Sequence, residues 1–321
     1  MIHVRIRTPD RQILLDVPSE QLTELARDND NLIWIDLDNP TADEIALVAP
    51  VFNWTHFTIE DLVSKDERAK IETSDGYSVI VMHDFTYTGD PRRLQTPEVD
   101  FVVGSNYVAS VHYHDIQHII DARDVSEHLE AIVSRGPDYL LYVLVDHLVD
   151  GYFPVLDELH EAVEDLEQQI IADPRPEVLS RIFEMKRDAV TLRRTVSPQL
   201  EVFSRLTSPG FGVVTEEHAI YFRDVHDHLI RIYEAMDTYR DLMSGALDAY
   251  LSNVSNRMND VMKRLTILAA MFLPITFFTG LMGMNLRTSP PWSDSLFWVF
   301  GAGMFMVSFA QYLYFRANRW I

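Results

Sequence analysis

LTILAAMFLPITFFTGLMG, residues 265–283, runs for 19 residues without a charge, and LFWVFGAGMFMVSFAQYLYF, residues 296–315, runs for 20 more. About 20 apolar residues rising ~1.5 Å each cross the ~30 Å hydrocarbon core of a bilayer. One such stretch also fits a helix buried in a soluble core. Two, back to back at the end of a chain, read as a pair of membrane spans. The segment between them, NLRTSPPWSDS, carries Pro290 and Pro291 among turn formers and predicts a short exposed loop. Lys263 and Arg264 precede the first span, Arg316 and Arg319 follow the second, and the loop has only Arg287. The positive-inside rule then places both termini in the cytoplasm. Trp292, Trp298, Tyr312, Tyr314 and Trp320 fall near the expected interfaces, where amphipathic rings settle. MIHVRIRTPD has no apolar h-region, so no signal peptide is expected and the rest of the chain stays on the cytoplasmic side.

Outward from the spans the composition changes sharply. The 321 residues hold 27 Lys+Arg against 49 Asp+Glu, a net charge of −22. Residues 265–321 carry only Arg287, Asp294, Arg316 and Arg319, a net of +2, which leaves −24 on residues 1–264. The mean hydropathy of −0.05 averages an acidic body with an almost uncharged tail. Such a charge excludes a nucleic-acid partner, which needs a basic face to displace counterions. With 0 cysteines there is no disulfide framework, Cys-ligated zinc or thiol nucleophile. HExxH, P-loop, GxSxG and dinucleotide fingerprints are absent, so no enzyme activity and no organic cofactor are expected.

The body reads in two halves. Ile2, Val4 and Ile6 alternate with polar residues, and QILLDV, LIWIDL, YSVIVMHDF, VDFVVG and YVASVHY are β-rich runs. TADEIALVAPVFN and the stretch from Thr58 to Ser64 read as helices, and Thr41 opens a capping box with Glu44. This mixture predicts one α/β domain. From Asp115 the β signal ends. Val155, Leu159, Val163, Leu166 and Ile170 recur at helical spacing, Pro174 and Pro176 break that helix, and a second begins near Glu177. A third starts near Thr215 and meets no proline before Pro274, inside the first span. As one helix, residues 216–283 run to roughly 100 Å, a length that needs a bundle or oligomer around it. The expected domains are 1–135, 136–264 and 265–321.

A stripe on this helix bears on function. Steps of seven from Asp248 give Ser255, Met262, Ala269, Thr276 and Gly283; the interleaved positions are Ser252, Asn259, Thr266, Leu273 and Gly280. A seven-residue repeat keeps one seam toward partner helices. This seam is small and polar where a dry one is Leu and Ile. It fits small-residue packing in lipid, and it fits equally a ring of helices around a wet axis, where Asp248, Asn259 and Thr276 offer oxygens to hydrated cations.

Gly283-Met284-Asn285 ends the first span with GMN. With two C-terminal spans below a long acidic helical body, and with YFRDVHDH (221–228), SGALDAYLSNVSNRMNDVMK (244–263), DYLLYVLVDHLVDGYF (138–153) and IEDL (59–62), the chain resembles the CorA family of divalent-cation channels over nearly its whole length. The resemblance is most specific from Tyr221 to Asn285. It implies a homopentameric funnel in the plasma (inner) membrane. Each subunit would have an α+β cytoplasmic domain built as an α/β/α sandwich, long stalk helices, and two transmembrane helices, the first lining the pore. It implies magnesium as transported ion, with cobalt or nickel as further ions. Gly283, Met284 and Asn285 become the selectivity filter, with the Asn285 amide holding the waters of an arriving magnesium. The same residues also suit a helix C-terminus. Thr276, Gly280, Leu273 and Asn259 become pore-lining, Met262 and Leu265 the hydrophobic constriction, and Asp248 an acidic ring. Glu60, Asp61, Asp146 and Asp224 fall where the family binds regulatory magnesium between subunits. A cation there relieves carboxylate repulsion and stabilises the closed ring.

The sequence departs from the family pattern at Met282, where an aromatic is usual, and in a joining loop with one acid, Asp294. A zinc-transporting, ZntB-like branch of the superfamily also has less acidic loops, so a zinc transporter, proton-coupled or not, stands as the alternative. A non-conducting membrane-anchored sensor or scaffold is the alternative of another class, and a polar stripe serves no purpose in a pure tether. HYHDIQH (112–118) offers an HxH pair for zinc without a further ligand that can be named. His226 and His228, beside Asp224, suit a softer ion better than magnesium.

Overall fold

The structure, a computed structural model, describes every residue except 11, 16, 66, 89–92, 125–134, 285–293, 319 and 321. LIWIDLD (β3, Leu32–Asp38) lies inside a seven-stranded sheet. On one side it pairs antiparallel with β1 (Ile2–Arg7), and β1 with β2 (Ile13–Leu15). On the other it runs parallel to β9 (Tyr107–His112). From β9 the sheet continues antiparallel through β8 (Glu98–Gly104), β5 (Tyr77–His83) and β4 (Lys70–Ser74). A hairpin, β6 (Thr86–Thr88) with β7 (Arg93–Gln95), stands apart.

Alternation along β3 assigns its two faces. Ile33, Ile35 and Leu37 join Val4, Ile6, Val79, Val102, Ala109 and Val111 in one apolar cluster. Helices α1 (Ser19–Ala26), α2 (Ala42–Val48) and α3 (His56–Val63) cover it with Leu22, Ile45, Val48 and Leu62. The opposite face carries Trp34 and Asp36, and α5 (Pro137–Asp150) and α7 (Pro176–Leu206) pack against β8, β9, β4 and β5. The result is the expected α/β layering. The Thr41 capping box forms: Glu44 N–H donates to Thr41 Oγ1 at 3.2 Å, and Thr41 N–H to Glu44 Oε2 at 2.8 Å.

Among the described residues, β4, the β6–β7 hairpin, α1 and α4 (Gln117–Asp124) are additions to the sequence reading. KIETS in β4 buries only Ile71, as a polar edge strand does, so period-two alternation barely registers. Helices α1 and α4 have 8 residues each, too short for a 3.6-residue period to stand out.

The helical part follows as α5, α6 (Tyr152–Ala172), α7, α8 (Ala219–Gly283, 65 residues) and α9 (Asp294–Ala317). Two compact units divide the chain: Met1–Gln169 with Pro176–Ala246, and Ile170–Arg175 with Leu247–Ile321. In the second unit the open C-terminus of α6 is closed by side chains. Asn253 Nδ2 donates to Ile170 O at 2.6 Å and Arg257 Nη2 to Ala172 O at 2.9 Å, satisfying carbonyls that have no helical partner.

Among the described residues, three stretches are long and apolar enough to cross a membrane. In Pro137–Ala172, 61% of the apolar window is buried within protein, against 6% in Ala219–Leu281 and in Trp298–Ala317. The first is a core helix pair. The other two expose their apolar faces and match the two spans read from sequence.

Candidate metal centre and ion path

Helix α5 is amphipathic, and its polar edge carries Asp146 and Asp150 one turn apart. Helix α8 carries Asp224 and His228 with the same spacing. His228 links the two helices: Nδ1 lies 3.6 Å from Asp150 Oδ1, and Nε2 lies 3.8 Å from Asp224 Oδ2. These are ion-pair distances, too long for hydrogen bonds, and Nδ1 has no hydrogen-bond partner among the described residues. Donor atoms of Asp146, Asp150 and His228 all lie within 4.8 Å of one another. Burial, and then the neighbouring Asp150 carboxylate, push the Asp146 carboxyl above its ordinary range. The Tyr142 hydroxyl opposes that shift by donating to Asp146 Oδ2 at 3.3 Å. A divalent cation fits this donor set. Two carboxylates that repel each other gain from a shared positive charge, and the imidazole adds a ligand suited to cobalt or zinc.

Asp146 and Asp224 therefore meet through His228, whereas Glu60 and Asp61 do not join this group. They lie on α3, whose N-terminus is capped by the Thr55 side chain. Asp61 Oδ2 is held at 2.9 Å by Lys70 Nζ, which also reaches Glu67 at 2.6 Å and Glu72 at 3.2 Å. Burial works against the lysine charge, yet its bonds to Glu67, Asp61 and Glu72 raise its pKa above the ordinary value. The ammonium stands where a small cation would sit among three carboxylates.

Along α8 the stripe positions Asp248, Asn259, Met262, Leu265, Leu273, Thr276 and Gly280 are all exposed, Leu273 at 70%. Another face of the same segment carries buried Ile267 and half-buried Ala270, Met271, Pro274 and Ile275. Gln311 of α9 meets that face at Ala270. The threonines of the stripe are not idle polar groups: Thr266 and Thr276 donate to Met262 O and Phe272 O, one turn back. Gly283 ends α8 and Met284 follows, exposed at 57%. Asn285, like Arg287 and Trp292, lies outside the described residues.

The HYHDIQH signal takes a different form from a chelate. His112 is fully buried, with Nε2 3.2 Å from Asp36 Oδ1 and Nδ1 2.7 Å from His114 O. Ser110 donates to the same carboxylate at 2.7 Å and Trp34 Nε1 to Ser110 Oγ at 3.1 Å, so this is a polar brace inside the core. Sequence reasoning overlooked Asp150 and Lys70. The four-residue step from Asp146 to Asp150 was a readable signal for the first; nothing local pointed Lys70 at Asp61.

Comparison with known proteins bears on this arrangement. A family model described as CorA-like Mg2+ transporter protein matches residues 29–317. The cobalt/magnesium transport protein CorA of Thermotoga maritima is 34% identical over 303 residues, covering 92% of this chain and 85% of the relative. The zinc transport protein ZntB of Yersinia enterocolitica is 26% identical over 267 residues, 82% of this chain and 79% of the relative. The solved structure of the CorA magnesium transporter from Methanocaldococcus jannaschii superposes with a TM-score of 0.85 at 20% identity, covering 100% of this chain and 99% of that one.

Proposed function

Because the chain belongs to the CorA-like Mg2+ transporter family, and is thereby a membrane transporter of divalent cations and not an enzyme, we propose that it works as a homopentameric magnesium channel of the inner membrane. Both termini lie in the cytoplasm, α8 of each copy lines a central pore, and α9 packs outside it. The observation that carries this reading is the exposed polar stripe from Asp248 to Gly280, beside a face of α8 that meets α9. A tether has no use for such a stripe. In this reading Met262 and Leu265 form the constriction, and Gly283, Met284 and Asn285 form the filter that grips the water shell of the ion. A divalent ion falling through 100 mV gains about 4.6 kcal/mol, so uptake needs no nucleotide.

Cytoplasmic magnesium closes the channel by binding between subunits, through Glu60 and Asp61 on one side and Asp146 and Asp224 on the other. His228 and Asp150 widen the second half-site. The imidazole supports cobalt as a further ion and keeps zinc transport as the second reading, in line with the likeness to a zinc transporter.

The test is flux into proteoliposomes, magnesium against zinc, with wild type and Asn285→Ala. The reading expects a pentamer by mass, magnesium entry driven by voltage, and loss of flux with assembly intact in the variant. Normal flux in Asn285→Ala removes the filter assignment, and a monomer or dimer as the main species removes the pore. For the sensor, millimolar magnesium should protect the wild type from proteolysis. Asp61→Asn with Asp224→Asn should lose that increment.

A further inference from the structure

Pro274 sits inside α8, in the first span. Proline has no N–H, so the carbonyl four residues earlier, that of Ala270, has no donor from its own helix. In a bilayer no water replaces the missing bond, and an unsatisfied backbone group there costs far more than at a surface. The structure supplies the donor from the second span: Gln311 Nε2 reaches Ala270 O at 3.2 Å. Gln311 is an amide in an otherwise apolar stretch, FMVSFAQYLYF. Ser308 of the same stretch turns back onto Met304 O of its own helix.

We infer that Gln311 is a positioning residue for the ion path. It clamps the second span to the first at the level where Pro274 opens the helix ladder, and so fixes the direction of the turns beyond, which carry Thr276 and Gly280. The pairing explains two features together. A proline is tolerated in the middle of a span because its orphaned carbonyl is answered from outside the helix. A glutamine is tolerated in a lipid-facing helix because its amide N–H has an acceptor. Gln311 Oε1 is buried and has no hydrogen-bond partner among the described residues. The amide is therefore held by this one bond, and the bond is a single point of control. The inference rests on the contact between the two spans and on the reading of α8 as pore-lining, and not on which ion passes or how it is sensed.

The experiment is a double-mutant cycle on the full chain in nanodiscs and proteoliposomes: wild type, Gln311→Leu, Pro274→Ala and the double variant. In Pro274→Ala, residue 274 regains an N–H and can close the ladder onto Ala270 O. Gln311→Leu is expected to lower the thermal midpoint and cut flux per assembled channel by about tenfold, the effect of losing one bond in an apolar setting. In the Pro274→Ala background the same change is expected to do nothing further to either. A loss of equal size in both backgrounds would mean that Gln311 acts elsewhere and would overturn the inference. So would a Gln311→Leu protein with wild-type flux and stability. Should Gln311→Leu fail to assemble, the natural absence of cysteine allows a direct check. Ala270→Cys with Gln311→Cys should link within one subunit through a short bifunctional thiol reagent. Failure to link, with pairs elsewhere along the two spans linking instead, would refute the contact.

Discussion

Asp84 offers a measurable cost inside the soluble body. Its side chain is 4% exposed, just beyond β5, and its carboxylate accepts from the Phe85 N–H at 2.7 Å. Burial raises its pKa from 3.8 to about 6; attraction to His118 and the Phe85 bond pull the other way and are already included. The folded protein therefore holds this proton more tightly than the unfolded chain does. Stability from that proton is present in full below the unfolded value near 4. It is lost as pH rises through the folded value near 6. At 1.36 kcal/mol per pH unit, ionised Asp84 costs the folded state about 3 kcal/mol at neutral pH. Asp84→Asn keeps the shape and the acceptor for Phe85 and removes that cost. A gain of about 3 kcal/mol corresponds to roughly 6–12 °C in thermal midpoint for a unit of this size. The gain should shrink below about 1 kcal/mol at pH 4, where the folded carboxyl is protonated and the unfolded one is only about half ionised. Thermal denaturation of the full chain in nanodiscs at pH 7.5 and pH 4 measures both. A variant no more stable than wild type at pH 7.5, or one with the same gain at both pH values, would refute the assignment of burial as the dominant cause.

Lys70→Met should strengthen magnesium protection against proteolysis. It frees Asp61 from a partly exposed ion pair, lowering the half-protecting concentration by about two- to fivefold. The shift should vanish when Asp61→Asn is added; an unchanged midpoint in Lys70→Met alone would show that the lysine does not compete with the ion. His228→Asn replaces a nitrogen ligand by an amide and should weaken protection by cobalt about tenfold while leaving protection by magnesium closer to wild type. Equal losses for both ions would place His228 in a purely structural role.

How much of this was readable in the chain depends on the range over which each feature is encoded. The two spans announce themselves because no charge interrupts residues 265–283 or 296–315, and lipid demands just that. The Thr41 box is local, contained in the four residues Thr41 to Glu44, and its pattern is legible in the sequence. Strand β3 and its neighbours were visible as β-rich runs, whereas β4 was not, because an edge strand with one buried residue has almost no pattern. Pro137–Ala172 marks a limit of composition. It is apolar enough for a span, and only its packing, 61% buried against 6%, separates it from one. HYHDIQH shows the converse: it has the spacing of a zinc pair but no further ligand that the sequence can name, and His112 is a core brace held by Asp36 from the adjacent strand.

The site residues divide by the same criterion. Asp146 with Asp150 and Asp224 with His228 are each a single helical turn, but that these two turns face each other is a property of the packed helices. Asp61 differs again. Its own chain gives it a lysine, and the Asp146 group lacks any such cation among its described contacts. One group holds an ammonium among three carboxylates, and the other gathers carboxylates around an imidazole with Asp224 left 65% exposed. Neither alone is a finished coordination sphere. In the proposed ring the two would be completed by each other across a subunit boundary. A metal would then have to displace an internal ammonium to join them, a competition that would make the proposed sensor weak. Weak binding is what a sensor of an abundant ion requires: a site saturated at all working concentrations would report nothing.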